Sequence, residues 1–251
     1  MKLHLKEIVH NAIYKVADLD SQIPDVDQIA EFLYTELKLN SPNISLELFT
    51  VQFLEHLGQE SLLSSAFFDQ VIEFFTNLNS QIQTPFIITS WTQGNVFLQT
   101  QKAEIFQSQL KADNLAKPSI YASTQKLSIL NNLATDLQKQ NCDLICLIDD
   151  RLNNIIRATE ILKNQSIPIV YIHKIRPDKK TINRLEEKQK NINLREVIEW
   201  SELISILNEF PCHKIGFILD KDGIIYNSTN YRKALESSLI DFCQNYLQLQ
   251  N

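Results

Sequence analysis

Five short apolar runs, separated by segments of helical length, constrain the fold of this chain more than any other feature. They begin at about residue 84 and are, in chain order, PFIITSW, DLICLI, PIVYIH, a weaker REVIEW and KIGFIL. A strand that is apolar on both faces must be covered on both faces, and parallel strands need long crossover connections. The pattern therefore predicts an α/β domain with a Rossmann-like parallel sheet. We expect its helices to begin near Ser123, Asn153, Ser201 and Asn230.

The first 80 residues have a different pattern, because their apolar residues recur at helical spacing without any strand-like alternation. Four helices are predicted there, the third of them ending near Gly58. The fourth carries an aromatic stripe, which we expect to form core of this helical region, with any exposed part a candidate homodimer face or substrate entrance. The stripe consists of Phe67, Phe68, Phe74 and Phe75.

Composition and charge exclude several classes of partner. With 24 Lys and Arg against 30 Asp and Glu the formal net charge is -6, which disfavours nucleic acid and anionic lipid. No apolar run approaches the roughly 20 residues of a membrane-spanning helix, and the amphipathic N-terminus is unlike a signal peptide. We therefore expect a cytoplasmic protein with no membrane partner. The polar stretch 174–193 is expected to be a solvated loop or surface helix.

Polar side chains follow three of the apolar runs. PFIITSW leads into Thr92-Gln93-Gly94, DLICLI into Asp149-Asp150, and KIGFIL into Asp220-Lys221-Asp222-Gly223. Ligands bind beyond the carboxyl ends of the strands in open parallel sheets, so these residues are expected to share one edge. Carboxylates gathered there repel one another unless a cation joins them, and oxygen ligands of this kind suit Mg²⁺. The sequence therefore predicts a magnesium site.

Four segments together resemble the motifs of the haloacid-dehalogenase-like (HAD) hydrolases. GFILDKDGIIYNS resembles the first motif, an apolar strand followed by Asp-x-Asp-Gly, and FIITSWTQGN resembles the second, with Thr92 at its hydroxyl position. Lys126, 23 residues before Asp149, fits the third-motif lysine. LICLIDDRLNNIIRA resembles the fourth motif in its double-aspartate form. Asp-x-Asp-Gly alone is a weak signal, and the combination is more specific.

The motif order differs from that of an ordinary family member, in which the nucleophile motif comes first and a helical cap often follows it. Reading from Asp220 through the last helix, and then from Met1 to Thr92, restores the usual order. We therefore expect a circular permutation with its cut inside the cap, which chain termini close together at the surface permit. The resemblance implies a helical cap over residues 1–82, completed by a helix at 230–248, and a HAD-like core over residues 83–229.

The resemblance also implies a mechanism. Asp220 would be the nucleophile and form an aspartyl-phosphate, while Asp222 would protonate the leaving oxygen and later deprotonate a water molecule. Mg²⁺ would be held by the side chains of Asp220 and Asp149 and by the backbone carbonyl of Asp222. Asp150 would either support the metal or orient the lysine.

The same resemblance implies a phosphate-binding set. Thr92 and Lys126 would donate hydrogen bonds to the phosphoryl oxygens. Gln93, Gly94 and Gly223 would complete the set, and the two glycines would allow sharp turns. The expected activity is a magnesium-dependent phosphatase acting on a small phosphorylated metabolite.

Two alternatives remain open at this point. Ile148 replaces a frequent family glycine and Asn154 stands where some members have a second acid, so a catalytically inactive HAD-like binding or regulatory module is the second hypothesis. A receiver-like domain phosphorylated on aspartate is the third, although it does not explain Asp222-Gly223 or the helical region. Taken singly, Thr92 is equally well explained as a helix cap and Lys126 as a surface lysine.

Overall fold

The structure is a computed structural model. It describes residues 2–13, 26–37, 44–64, 67, 69–82, 84–93, 96–110, 120–123, 126–175, 193–220, 224–225 and 228–248. Among the predicted residues, Phe68, Gly94, Asp222 and Gly223 lie outside this set, as does most of the polar stretch 174–193.

The described residues form ten α-helices and six β-strands. The helices are α1 (Lys2–Asn11), α2 (Val26–Glu36), α3 (Leu46–Leu57), α4 (Glu60–Ser64), α5 (Asp69–Ile82), α6 (Val96–Gln109), α7 (Leu130–Lys139), α8 (Leu152–Leu162), α9 (Trp200–Leu207) and α10 (Ser228–Gln248). The strands are β1 (Phe86–Gln93), β2 (Ile120–Ser123), β3 (Leu144–Asp149), β4 (Ile169–Lys174), β5 (Leu194–Val197) and β6 (Ile215–Asp220). A short 3₁₀ helix, Lys126–Ile129, precedes α7.

The chain divides into two compact units. The helical unit comprises Met1–Ala66, Gln93–Ile105 and Ser228–Asn251, and the sheet unit comprises Phe67–Thr92 and Phe106–Asn227. In this division α5 belongs to the sheet unit, whereas the predicted cap runs to residue 82. The functional boundary between cap and core stays a prediction.

The sheet unit is an α/β structure consistent with a Rossmann-like core. Its strand order is β2-β1-β6-β3-β4-β5, and the pairings described for β1, β6, β3, β4 and β5 are all parallel. The three strands β3, β4 and β6 are buried along their whole length, as their continuous apolar runs predict. The predicted parallel sheet is thereby confirmed.

Helices cover both faces of the sheet. Alternate residues of each strand point to opposite faces, so the apolar side chains on both sides are buried. On one face, Ile218 of β6 and Leu147 of β3 share a buried cluster with α7 and α8. On the other face, the Phe75 ring of α5 lies 5.3 Å from the ring of Phe217 in β6. Phe74, also in α5, lies 5.1 Å from Trp200 of α9. The two helix layers exclude water from the centre of the sheet.

Three residues of the aromatic stripe belong to the core of the sheet unit. Phe67, Phe74 and Phe75 are buried in the sheet unit, where Phe75 also packs 6.3 Å from the Phe86 ring. The expectation that the stripe forms core is met by these three residues, and whether they belong to the cap that the resemblance implies stays a prediction. The predicted homodimer stays a prediction.

The helical unit has its own aromatic core. Phe49 and Phe53 of α3 stack with ring centroids 6.2 Å apart, and Phe242 of α10 lies 5.6 Å and 6.0 Å from them. Ser45 caps α3 by accepting a hydrogen bond from the Leu48 amide. Within the described part of the chain, no helix has both the length and the apolar character needed to cross a membrane.

Candidate functional site

The carboxyl ends of β3 and β6 bring together three aspartates. Ile148 pairs with Leu219, so that Asp149 and Asp220 end neighbouring strands side by side. One carboxylate oxygen from each of Asp149, Asp150 and Asp220 lies within 4.8 Å of the others. All three residues are buried, with exposed fractions of 0%, 8% and 5%. The structure thus places residues that are 70 positions apart in sequence within one small acidic cluster.

Lys126 lies between two of these carboxylates. Its Nζ is 2.7 Å from Asp149 Oδ2 and 2.8 Å from Asp220 Oδ1, and its side chain is only 11% exposed. The lysine begins the 3₁₀ helix that leads into α7. The ammonium is therefore the counterion of the acidic cluster rather than a surface charge.

A glycine in β6 allows α7 to approach the sheet closely enough for this contact. A Cβ on Gly216 would lie 2.8 Å from Leu137 Cδ1 of α7, which is closer than real Cβ atoms come to other heavy atoms. Leu137 is itself buried, so it has little room to move. Gly216 is thus the structural reason that α7, and Lys126 before it, can lie against β6.

Asp149 is held by three donors. Its Oδ1 accepts the Arg151 backbone amide at 2.7 Å, and its Oδ2 accepts Asn154 Nδ2 at 3.1 Å as well as Lys126. The hydrogen bond from the Arg151 backbone amide fixes the turn that begins α8. An ionised carboxylate has about four acceptor positions, so Asp149 retains room for one further partner.

Burial and neighbouring charges together shift the pKa values of two groups in the cluster, Asp220 and Lys126. Removal from water raises the pKa of Asp220 well above its usual value; the nearby Asp149 and Asp150 raise it further, and Lys126 opposes them. Burial alone would lower the pKa of Lys126, but the charges of Asp220 and Asp149 outweigh this and raise it. Three carboxylates and one ammonium leave a formal excess of negative charge, which a divalent cation would offset.

Thr92 lies at the end of β1, the other neighbour of β6 in the sheet. Its Oγ1 is buried, and no described residue provides it with a hydrogen-bond partner. A buried hydroxyl without a partner is costly unless a bound group supplies one. Gln93 is the last residue of β1, and the predicted roles of Gln93, Gly94, Asp222 and Gly223 stay predictions.

Two contacts to the cluster are not indicated by the sequence motifs. Trp91 Nε1 donates a 2.6 Å hydrogen bond to the backbone oxygen of Lys126, and Lys126 Nζ lies 4.0 Å from the centroid of the Trp91 ring. Asn154, identified in the sequence only as a missing acid, is an amide donor to Asp149. Trp91 could be linked to the cluster only through strand register, because it pairs with Asp220 across β1 and β6.

Comparison with known proteins finds no match, so a function has to be argued from the described geometry. The carboxylates, the ammonium and the hydroxyl all belong to the sheet unit. No family model matches this sequence, and neither a curated protein nor a solved structure matches it significantly.

Proposed function

We propose that this protein is a magnesium-dependent phosphatase of the HAD-like type, acting on a small phosphorylated molecule through an aspartyl-phosphate. The observation that carries the proposal is the buried cluster in which Lys126 bridges Asp149 and Asp220 at 2.7 Å and 2.8 Å. A buried nucleophile candidate, a second acid and a fixed ammonium are the groups that phosphoryl transfer requires.

Strand order supports the proposed circular permutation. If β6 is counted as the first strand and β1 to β5 follow it, the order β2-β1-β6-β3-β4-β5 becomes 3-2-1-4-5-6. This is the usual order of a doubly wound sheet, with its ligand crevice where the order reverses. Asp220 and Asp149 end the two strands that flank that reversal.

The donor set fits a hard divalent cation. Asp149, Asp150 and Asp220 supply carboxylate oxygens, which Mg²⁺ prefers over nitrogen or sulfur. We infer that Asp220 and Asp149 would hold the ion, with Asp150 and the predicted Asp222 as further donors. When bound, the cation would supply positive charge that reduces the repulsion between an anionic nucleophile and an anionic phosphoryl group.

In the first half-reaction, the residues of this chain would have separate roles. A carboxylate oxygen of Asp220 attacks phosphorus, and the bond from phosphorus to the leaving oxygen breaks. Lys126 and Thr92 donate hydrogen bonds to the phosphoryl oxygens as negative charge shifts onto them. The hydroxyl of Thr92 would thereby gain the partner that no described residue provides.

The second half-reaction regenerates the enzyme. Asp222 is proposed to have given its proton to the leaving oxygen in the first half-reaction, and in the second its carboxylate accepts a proton from the attacking water. That water attacks phosphorus, the bond from phosphorus to Asp220 breaks, and inorganic phosphate leaves. Preference for a small substrate depends on the predicted helical cap, since a cap would exclude large chains and bulk water.

The proposal is tested by phosphate release from p-nitrophenyl phosphate in Mg²⁺, in EDTA, and with the Asp220→Asn variant. We expect turnover in Mg²⁺ only, and its loss in the variant with the fold retained by circular dichroism. A matched control is Asp143→Asn, which alters an aspartate at the opposite end of β3 and should leave turnover unchanged.

The same assay separates the alternatives. Folded wild-type protein without turnover on p-nitrophenyl phosphate and a broad panel of phosphorylated metabolites would support the non-catalytic module, for which Asn154 in place of an acid is the favouring observation. Stable phosphorylation of an aspartate by acetyl phosphate, without turnover, would support the receiver-like domain.

A further inference from the structure

We propose that Trp91 is a positioning residue that holds Lys126 for phosphoryl transfer, through its indole N–H and its ring face together. The inference rests on the proposed function, because it assigns Lys126 the task of binding the phosphoryl oxygens. It extends that function by naming a residue outside the four motifs' reactive positions.

Strand register brings the tryptophan to the cluster. Trp91 pairs with Asp220 across the parallel strands β1 and β6. It is fully buried, and it shares a cluster with Ile218 of β6 and with Leu130 and Leu133 of α7. Its ring therefore lies on the face of the sheet that α7 covers, beside the 3₁₀ helix that carries Lys126.

Both polar features of the indole are directed at the same lysine. Nε1 donates to the Lys126 backbone oxygen at 2.6 Å, which fixes the main chain where the 3₁₀ helix begins. The ring centroid lies 4.0 Å from Lys126 Nζ, within the range of a cation–π contact. A tryptophan that only filled the core would need neither contact, since Leu or Phe would supply the apolar volume.

The arrangement restricts a side chain that is otherwise very flexible. Lys126 has four rotatable side-chain bonds, and its ammonium must meet carboxylates from two different strands. The backbone hydrogen bond fixes one end of the side chain, and the ring closes one side of the ammonium at the other end. Catalytic groups gain most from being held near their productive positions before the substrate arrives.

Two substitutions separate the two contacts. Trp91→Phe keeps an aromatic ring and removes the indole donor, whereas Trp91→Leu removes both. We expect kcat for p-nitrophenyl phosphate to fall about tenfold in Trp91→Phe and about 100-fold in Trp91→Leu, with a smaller change in KM. Trp200→Phe is the matched control, because Trp200 is a buried tryptophan of the same unit whose ring packs at a tilt against Phe74. It should leave kcat unchanged.

A second readout does not depend on activity. In ¹H–¹⁵N spectra of the lysine ammonium groups, assigned through the loss of one signal in Lys126→Met, the Lys126 protons should be shifted upfield by the ring current of Trp91. The shift should persist in Trp200→Phe, be reduced in Trp91→Phe and disappear in Trp91→Leu. If Trp91→Leu does not fold, the reduced shift and reduced kcat of Trp91→Phe provide the test.

Each outcome supports or overturns the proposal. Loss of the upfield shift together with the kcat effect supports it. An unchanged Lys126 signal in a folded Trp91→Leu overturns it, as does an unchanged kcat in an active enzyme whose ring-current shift is lost. Absence of turnover in the wild type contradicts the proposed function, whereas the ammonium shift alone shows whether Trp91 contacts Lys126.

Discussion

Strands β3 and β6 lie side by side, and contacts that involve aspartates join them in a different way at each end. At the amino ends, Asp143 just before β3 accepts the backbone amides of His213 and Lys214 just before β6, at 2.9 to 3.0 Å. At the carboxyl ends, Asp149 and Asp220 are joined by Lys126. The Asp143 side chain is 41% exposed, whereas the side chains of Asp149 and Asp220 are nearly inaccessible to solvent.

The two ends differ in how completely the fold compensates the charge of the aspartate. Backbone hydrogen bonds from Lys214 and His213 lower the pKa of Asp143 to about 2, so its charge is matched by donors that belong to the fold. Burial raises the pKa of Asp220, whose charge is only partly matched by a lysine shared with Asp149. An acid that the fold leaves incompletely compensated is a better candidate for binding a cation or reacting.

The largest expected effect is on activity and separates the two ends completely. Asp220→Asn removes the proposed nucleophile, so phosphatase turnover should fall by several orders of magnitude, while Asp143→Asn should retain it. The free energy of unfolding should distinguish the variants in the opposite direction. It should rise in Asp220→Asn, because the substitution relieves repulsion among buried acids, and fall in Asp143→Asn. Steady-state assays and urea unfolding of both variants measure this. Comparable turnover in wild type and Asp220→Asn would remove Asp220 from the mechanism.

Cation binding should stabilise the protein through the carboxyl end alone. With free Mg²⁺ about 100-fold above its Kd, the free energy of unfolding should rise by about 2–3 kcal/mol. Asp143→Asn should keep this increase and Asp220→Asn should lose most of it. Thermal unfolding with Mg²⁺ and with EDTA provides the measurement, and an equal increase in both variants would place the cation elsewhere.

Asn154→Asp sharpens the same comparison. The substitution replaces a donor to Asp149 by a fourth acid near the cluster. The variant should be less stable than wild type in EDTA and should gain more from Mg²⁺, because only a cation can offset the added charge. A Mg²⁺-induced change in melting temperature no larger than that of the wild type would show that residue 154 does not face the cation.

Gly216→Ala should disturb the packing that brings Lys126 to the carboxyl end. The added methyl would meet Leu137, and we expect a loss of about 1–3 kcal/mol in urea unfolding. Gly58→Ala is the matched control, since Gly58 has φ −78°, which alanine adopts readily, and a Cβ there would come no closer to another atom than 3.3 Å, at the Phe97 ring. Equal stability of both variants would mean that α7 can shift without cost.

The smallest effect is the pH dependence of the amino end. The folded-state pKa of Asp143 is about 2 against an ordinary 3.8, so its stabilisation is present above about pH 4 and lost as the pH falls towards 2. Asp143→Asn should cost about 1 kcal/mol at neutral pH, a modest value because solvent weakens exposed charges. Urea unfolding should show the two proteins converging in acid; a pH-independent difference would contradict the assigned role.

Much of the fold was predictable because burial on both faces produces continuous apolar runs. The runs that became β1, β3, β4, β5 and β6 were each identified, and the shared strand ends implied that Asp149 and Asp220 would meet. β2 was missed although it is no shorter than β5, and the helix expected near Ser123 begins instead with the 3₁₀ helix at Lys126. α6 was missed because its apolar residues do not concentrate on one face.

The motifs predicted candidate reactive residues but not the residues that contact and orient them. The spacing of Lys126 from Asp149 suggested a shared site, and the structure gives their atoms 2.7 Å apart. The contact with Trp91 depends on the pairing of β1 with β6, and strand order cannot be read from the chain because β6 comes last. Likewise, Asn154 faces Asp149 only because α8 begins immediately after β3.

One measurement tests the central contrast between the two ends most directly: anomalous diffraction from crystals of the full chain containing Mn²⁺, which takes oxygen ligands as Mg²⁺ does. We expect a single strong anomalous-difference peak between the carboxylates of Asp149, Asp150 and Asp220, and its loss in Asp220→Asn. No ion at these carboxylates at saturating Mn²⁺, or a peak at Asp143 instead, would contradict it.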